Sequence, residues 1–164
     1  MNLYGLFKLL HVAVAFWFIA GLLGRHLALS QAARVSDVNV FAGLSDLAGR
    51  FDRLMVIPGS QVVFLIGLIT AWAGGWPVLG FLEGGKANWV LASIVLFLSS
   101  MPSIPLIFLP SGKRFDEALK AARAQGQVTP ALRAALTNRT VAVAHGYEML
   151  VVAVIVILMV LKPF

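Results

Sequence analysis

Four long apolar stretches constrain this chain more than any other feature. They lie at residues 4–27, 54–76, 87–109 and 140–161. Each has the ~20 residues that an α-helix needs to cross the hydrocarbon core of a bilayer. No Asp, Glu, Lys, Arg or His occurs in residues 54–82 or 87–112. Because a spanning helix satisfies its own backbone, the sequence predicts an all-α integral membrane protein, folded as one antiparallel four-helix bundle in a single domain.

Charged residues make up only 12% of the chain, and the basic ones are distributed unevenly. In a four-span protein the first and third loops share one side, and both termini share the other. Ten basic residues lie on the side of the first and third loops: Arg25, Arg34, Arg50, Arg53, Lys113, Arg114, Lys120, Arg123, Arg133 and Arg139. The side of the termini has only three, which are Lys8, Lys86 and Lys162. This asymmetry predicts that, in a cytoplasmic membrane, the two long loops face the cytoplasm and both termini face the outside, and it explains the net charge of +6 without a nucleic-acid partner.

Both predicted cytoplasmic loops show the apolar periodicity of helices. In residues 35–51 and 115–123 apolar side chains recur near the helical period among charged ones, and a further short helix is predicted after Pro130. These segments are either amphipathic helices along the lipid headgroups or connectors that pack on the end of the bundle. The loop between the second and third spans is rich in glycine and is predicted to be a tight turn that carries Glu83 and Lys86.

Two ionisable residues inside the fourth span indicate the first candidate site. His145 and Glu148 stand three residues apart, and therefore on one helical face. Ionisable groups within a bilayer usually face the protein interior and mark a functional site. A carboxylate at this depth either forms an ion pair, with Arg25 or Arg139, or binds a proton, and both states suit proton handling. We therefore predict that Glu148 and His145 are catalytic residues.

Other spans bring polar residues to the same depth as this pair. They are Arg25, His26, Gln61, Ser99, Ser100 and Ser103, placed by the rise of the helix, with Pro102 and Pro105 interrupting the third span at that level. We expect Glu148 to contact Arg25, His26, Gln61 or Arg139. In the alternative interpretation, the serines and Gln61 only hold helices together, and Arg25 and His26 extend to the headgroups.

His11 is the second candidate, since it lies between Leu10 and Val12 near the outer end of the first span. The helical rise places it about 15–20 Å from His145 in depth, so these two histidines are not expected to share one metal ion. His26 and His145 lie at similar depth and form an alternative pair of ligands. From periodicity alone, His11 either forms a hydrogen bond across a helix interface or binds a ligand.

Short motifs in all four spans, taken in order, resemble one superfamily of membrane proteins. The motifs are Lys8-Leu9-Leu10-His11, Trp17-Phe18, Ala20-Gly21-Leu22, Arg53-Leu54, Ile57-Pro58, Gly67, Ile155-Val156-Ile157 and Lys162-Pro163-Phe164. They resemble the HemJ-type protoporphyrinogen oxidases, the CopD-like membrane domain, and a related family of uncharacterised prokaryotic four-helix membrane proteins that share the Lys-Pro ending.

This resemblance implies a b-type haem with His11 as an axial ligand of the iron. HemJ-type proteins carry a lysine after a tryptophan in the third helix as the second proposed ligand, whereas no lysine follows Trp89 in that helix here. Glu148 matches the acidic residue of an N-E-x-P run in their fourth helix, with Tyr147 and Leu150 in place of the Asn and the Pro.

Two functions follow from these observations. In the first, the chain is a haem-b-binding membrane redox protein in which His11, or the pair His26 and His145, holds the iron. In the second, it is a non-catalytic accessory subunit of a larger membrane complex or a homo-oligomer, docked through small-residue surfaces such as Gly21 and Gly24. The lipid bilayer is a partner in both cases.

Overall fold

The structure, a computed structural model, describes residues 2–80 and 88–163. Its α-helices are α1 (Leu3–Ala32), α2 (Val38–Phe51), α3 (Ile57–Ala73), α4 (Trp89–Ser100), α5 (Leu109–Gln125), α6 (Pro130–Leu136) and α7 (Arg139–Leu161). The prediction of an all-α fold is confirmed for these residues. The predicted turn with Glu83 and Lys86 lies outside them.

Four helical stretches are long and apolar enough to cross a membrane. They are Leu3–Ala32, Val38–Ala73, Trp89–Gln125 and Pro130–Leu161. Helix α1 packs against α3, and α4 packs against α7. We call the end of the bundle that holds α2, α5 and α6 the loop end, and the end that holds both termini the terminal end. The predicted four-helix membrane bundle is therefore confirmed.

A π-helical turn interrupts two of the long helices, and a proline explains each one. The segment Asp52–Val56 joins α2 to α3, and the segment Ile104–Phe108 leads into α5. After each segment, one residue donates its N–H to the carbonyl five residues back, and the next residue is Pro58 or Pro110. A proline ring would clash with the carbonyl four residues back in an α-helix, and the wider turn moves that carbonyl away. Helix α2 therefore continues directly into the second span.

The third span is also broken where the sequence predicted, because α4 ends at Ser100, just before Pro102. The hydroxyl groups of the serines at this level form hydrogen bonds within their own helical turn. Ser99, Ser100 and Ser103 each donate a hydrogen bond to a backbone carbonyl three residues back, at 2.6–2.7 Å. These hydroxyl groups therefore contribute to the local backbone rather than to a shared site, apart from a contact of 2.6 Å between Ser99 and Tyr147.

The helices of the two long loops form a small apolar core at the loop end. Ala32, Phe41, Ala122 and Leu132 meet there, and each is 0% exposed. Arg133 joins α6 to the end of α1 by donating to two backbone carbonyls, each at 3.1 Å. The apolar faces of α2, α5 and α6 are thus used inside the protein. This arrangement favours packed connectors over helices that lie along the headgroups.

Gly21 and Gly24 lie inside the protein, where they let α1 approach the next helix closely. A Cβ atom at Gly21 would lie 2.6 Å from Cβ of Met55, and one at Gly24 would lie 2.6 Å from Cζ of Phe51. At Gly21 only a residue without a side chain allows this approach, because the Cβ of Met55 is fixed to its backbone. The prediction that these two glycines form an outward docking surface is therefore wrong, because they are the contact between α1 and the helix that follows it.

Candidate functional site

A buried arginine organises the polar residues at the loop end of the bundle. Arg25 is only 7% exposed. Its Nη2 donates to Oε2 of Glu148 at 2.6 Å, and its Nη1 donates to Oδ1 of Asp52 at 2.9 Å. The two carboxylates come from α7 and from the first π-helical segment, so one guanidinium ties three spans together. The predicted contact of Glu148 with Arg25 is present, and the alternative in which Arg25 extends to the headgroups is wrong.

His145 completes this cluster from the same face of α7. Its Nδ1 lies 3.5 Å from Oε2 of Glu148, at the outer limit of a hydrogen bond, and this buried atom has no closer hydrogen-bond partner. Its ring stacks on Phe108 of the second π-helical segment, with centroids 4.6 Å apart. We call Arg25, Asp52, Glu148 and His145 the Arg25 cluster.

Three residues that were expected near Glu148 do not join the cluster. His26 and Gln61 are exposed on the outer surface of their helices, and Arg139 lines a groove between the third and fourth spans together with Tyr147. Within the described residues, none of the three has a hydrogen bond or an ion pair to the cluster. Because His26 is exposed while His145 faces the interior, the structure gives no support to a haem held by this pair.

Asp52 is the member of the cluster that the sequence analysis missed. Nothing in the sequence placed it inside the bundle, since the apolar stretch begins only at Leu54. In the structure, α2 and the span form one helix, and the π-helical turn directs Asp52 toward Arg25. Pro58 was the available signal, because a proline predicts a distorted turn just before it.

A second site lies at the terminal end of the bundle, where all four spans surround a cavity of about 460 Å³. Most of its wall is apolar, and His11 lines one side. A Cβ atom at Gly67 would lie 2.9 Å from Cε1 of His11, so the missing side chain makes room for the ring. Nδ1 of His11 and Nε1 of Trp89 are both buried in this region and have no hydrogen-bond partner. Buried polar atoms without partners are rare and need an explanation, such as a ligand or a water molecule.

Two lysines and two tryptophans line this cavity toward the termini. Lys162 ends α7 with φ at 46°, in the left-handed region that an L-residue adopts only at a cost. Its Nζ lies 5.2 Å from the ring centroid of Trp76 and 5.8 Å from that of Trp89, within the range of cation–π attraction. Lys8 also lines the cavity. The cavity therefore combines an apolar interior with positive charge near the terminal end.

An apolar layer separates the cavity from the Arg25 cluster. Its buried residues are Phe18, Leu22 and Val56, with Met149 and Val152 packed against them. Along α1, His11 and Arg25 are fourteen residues apart, which corresponds to about 21 Å of helical rise. His11 lines the cavity and His145 belongs to the cluster, so the two histidines occupy different sites, in agreement with the predicted difference in depth.

The fold and these two internal polar sites define a class of protein, a small multi-pass helical membrane protein with ionisable groups inside its bundle. Residues 5–163 match the family described as predicted integral membrane protein (DUF2269), and the chain belongs to this family. No curated protein and no solved structure matches the chain.

Proposed function

We propose that this protein binds haem b in the cavity at the terminal end, where His11 would hold the iron, and acts as a membrane redox protein. The observation that carries the proposal is the buried, unpartnered Nδ1 of His11 beside an apolar cavity of about 460 Å³. Histidine nitrogen is a common haem ligand. The cavity volume lies within the range of about 300–1,000 Å³ that is typical of ligand sites.

The cavity offers few side chains that could bind a metal ion, which fits an iron that is already held by a porphyrin. Among the described residues, no group of three or more His, Cys, Asp or Glu side chains is arranged to hold a metal ion. A porphyrin supplies four nitrogen ligands, so one histidine is enough to hold its iron. Met159 and Tyr4 also line the cavity, and both residue types serve as haem ligands in other proteins.

The charges of the cavity fit the polar edge of the same cofactor. Haem b carries two carboxylate groups on an apolar ring, and Lys8 and Lys162, which line the cavity, would provide cations to pair with them. Bound haem would supply one-electron chemistry at its iron, while the surrounding apolar side chains exclude water. The resemblance to HemJ-type proteins supports the role of His11, although the lysine of their third helix has no counterpart after Trp89.

The absorption spectrum of protein purified from haem-supplemented cells tests this proposal. We expect the sharp band of a reduced b-type haem in the wild type. His11→Ala should lower the bound haem by more than about tenfold, because it removes the side chain that would hold the iron. Gly67→Val should also lower it, since the added side chain occupies the space of the His11 ring.

His26→Ala is the matched control, because His26 is an exposed histidine on the same helix and should leave the spectrum unchanged. Haem-free protein from haem-replete cells, or a His11→Ala variant with an unchanged spectrum, would contradict the proposal. The first of these results would instead favour the accessory-subunit function. The two glycines named for that alternative, Gly21 and Gly24, pack inside the protein.

We further infer that the loop end faces the cytoplasm and that both termini face the outside of a prokaryotic cytoplasmic membrane. Among the described residues, nine basic side chains other than the buried Arg25 belong to the loop end, whereas only Lys8 and Lys162 lie at the terminal end. A reporter that is active only outside the cell should work at the carboxyl terminus and fail after Gly126. The opposite pattern would reverse this orientation.

A further inference from the structure

We propose that the Arg25 cluster is a binding site for one proton, which His145 and Glu148 share. The charges of the cluster give the first argument. With His145 neutral, one guanidinium faces two carboxylates, so the cluster carries a net charge of −1. A net charge is unfavourable in the interior of a membrane bundle, where water does not screen it. One added proton makes the cluster neutral.

The geometry shows where this proton belongs. Arginine stays charged in proteins and cannot exchange the proton. Oε2 of Glu148 accepts a hydrogen bond from Arg25 at 2.6 Å and faces Nδ1 of His145 at 3.5 Å. With the added proton in place, the imidazole holds one hydrogen at Nε2, and a second hydrogen lies between Nδ1 and Oε2, which gives the buried nitrogen the partner that it lacks. The imidazole and this carboxylate are thus the two ends of one hydrogen bond.

The elements packed around His145 contribute only a few groups that affect its charge. Helix α1 contributes Arg25, the first π-helical segment contributes Asp52, and α7 contributes Glu148. The second π-helical segment contributes Phe108, whose ring does not titrate and fixes the plane of the imidazole. Each of the two π-helical segments therefore supplies one residue that contacts the cluster. Such turns occur frequently at functional sites.

The exposure of the side chains indicates the route of the proton. The side chains are exposed to 9% for Arg25, 19% for Glu148, 24% for His145 and 36% for Asp52. The cluster therefore opens toward the loop end through Asp52. On its other side, the apolar layer around Leu22 and Val56 closes it off from the cavity. The proton enters and leaves from one side of the protein.

Nuclear magnetic resonance of the full chain, labelled at its histidines and held in lipid nanodiscs, tests this proposal. We expect His145 to be charged at neutral pH in the wild type, with its signals assigned by their loss in His145→Gln. Glu148→Gln removes one negative charge and the proton's second partner, so the charged form of His145 should be lost at neutral pH. Asp52→Asn removes the other negative charge and should have the same effect on His145. This second variant tests the proposal even if Glu148→Gln fails to fold.

Asp46→Asn is the matched control. It removes a carboxylate that pairs with Arg123 at the surface, where its side chain is 61% exposed, and His145 should remain charged. Infrared spectra supply a second measurement. A protonated carboxyl band in the wild type that disappears in Glu148→Gln also supports the proposal, because it places the shared proton on Glu148. A neutral His145 together with no protonated carboxyl group at neutral pH would overturn it.

Discussion

Replacing Arg25 by alanine is expected to destabilise the protein by about 3–5 kcal/mol, the usual cost of removing one partner from a buried ion pair. The reason is that Glu148 and Asp52 both lose the cation that neutralises them, while Glu148 stays largely buried. Reversible unfolding in mixed micelles measures this effect. Adding Glu148→Gln and Asp52→Asn to the same variant should restore part of the loss, because the uncompensated charges are then gone.

Arg123→Ala provides the matched control for this prediction. Arg123 pairs with Asp46 at 3.4 Å, and their side chains are 51% and 61% exposed. Surface ion pairs of this kind contribute about 0–1 kcal/mol, so this variant should unfold almost like the wild type. If Arg25→Ala and Arg123→Ala had equal effects, the Arg25 cluster would not hold the spans together.

Gly21→Ala is expected to destabilise the protein by about 1–3 kcal/mol, which is typical of an oversized group in a packed interface. The new Cβ would lie 2.6 Å from Cβ of Met55 and 3.4 Å from the Met55 carbonyl carbon. Because the Cβ of Met55 is fixed to its backbone, relief of the 2.6 Å contact requires α1 and the second span to move apart. Asp52 is the first residue of the neighbouring π-helical segment. The same movement would therefore lengthen the ion pair between Arg25 and Asp52.

Gly43→Ala controls for the intrinsic effect of adding a methyl group to a helix. Gly43 lies within α2, and a Cβ atom there would meet nothing within 4 Å. Alanine should therefore stabilise the protein by about 0.5–1 kcal/mol, since it reduces the freedom of the unfolded chain. The same unfolding experiment compares both variants. A Gly21→Ala protein as stable as Gly43→Ala would show that the close approach of α1 is unimportant.

Most of the fold follows from the sequence because apolar length is a strong signal in a membrane protein. The four spans, and the break in the third span before Pro102, were predicted in this way. The continuity of α2 with α3 was not predicted. Charged residues such as Arg50 and Asp52 marked the end of the apolar stretch, but they do not end the helix, since its backbone hydrogen bonds continue through the π-helical turn.

The candidate site was predictable only in part. The spacing of His145 and Glu148 placed them on one face, and the depth of Arg25 supplied their partner. The roles of His26 and Gln61 were not predictable, because depth along a helix does not determine direction around it. His26 and Arg25 are neighbours in sequence, yet one is exposed and the other is buried. The packing of Gly21 and Gly24 against the second span sets this rotation of α1.

The apolar layer around Phe18, Leu22 and Val56 also determines how the protein responds to the electrical potential of its membrane. A charge that crosses the whole bilayer gains or loses about 2.3 kcal/mol for each 100 mV. A proton that stops at the Arg25 cluster crosses only the part of the field on the loop side of this layer. Its binding should therefore follow the pH on that side and depend little on voltage.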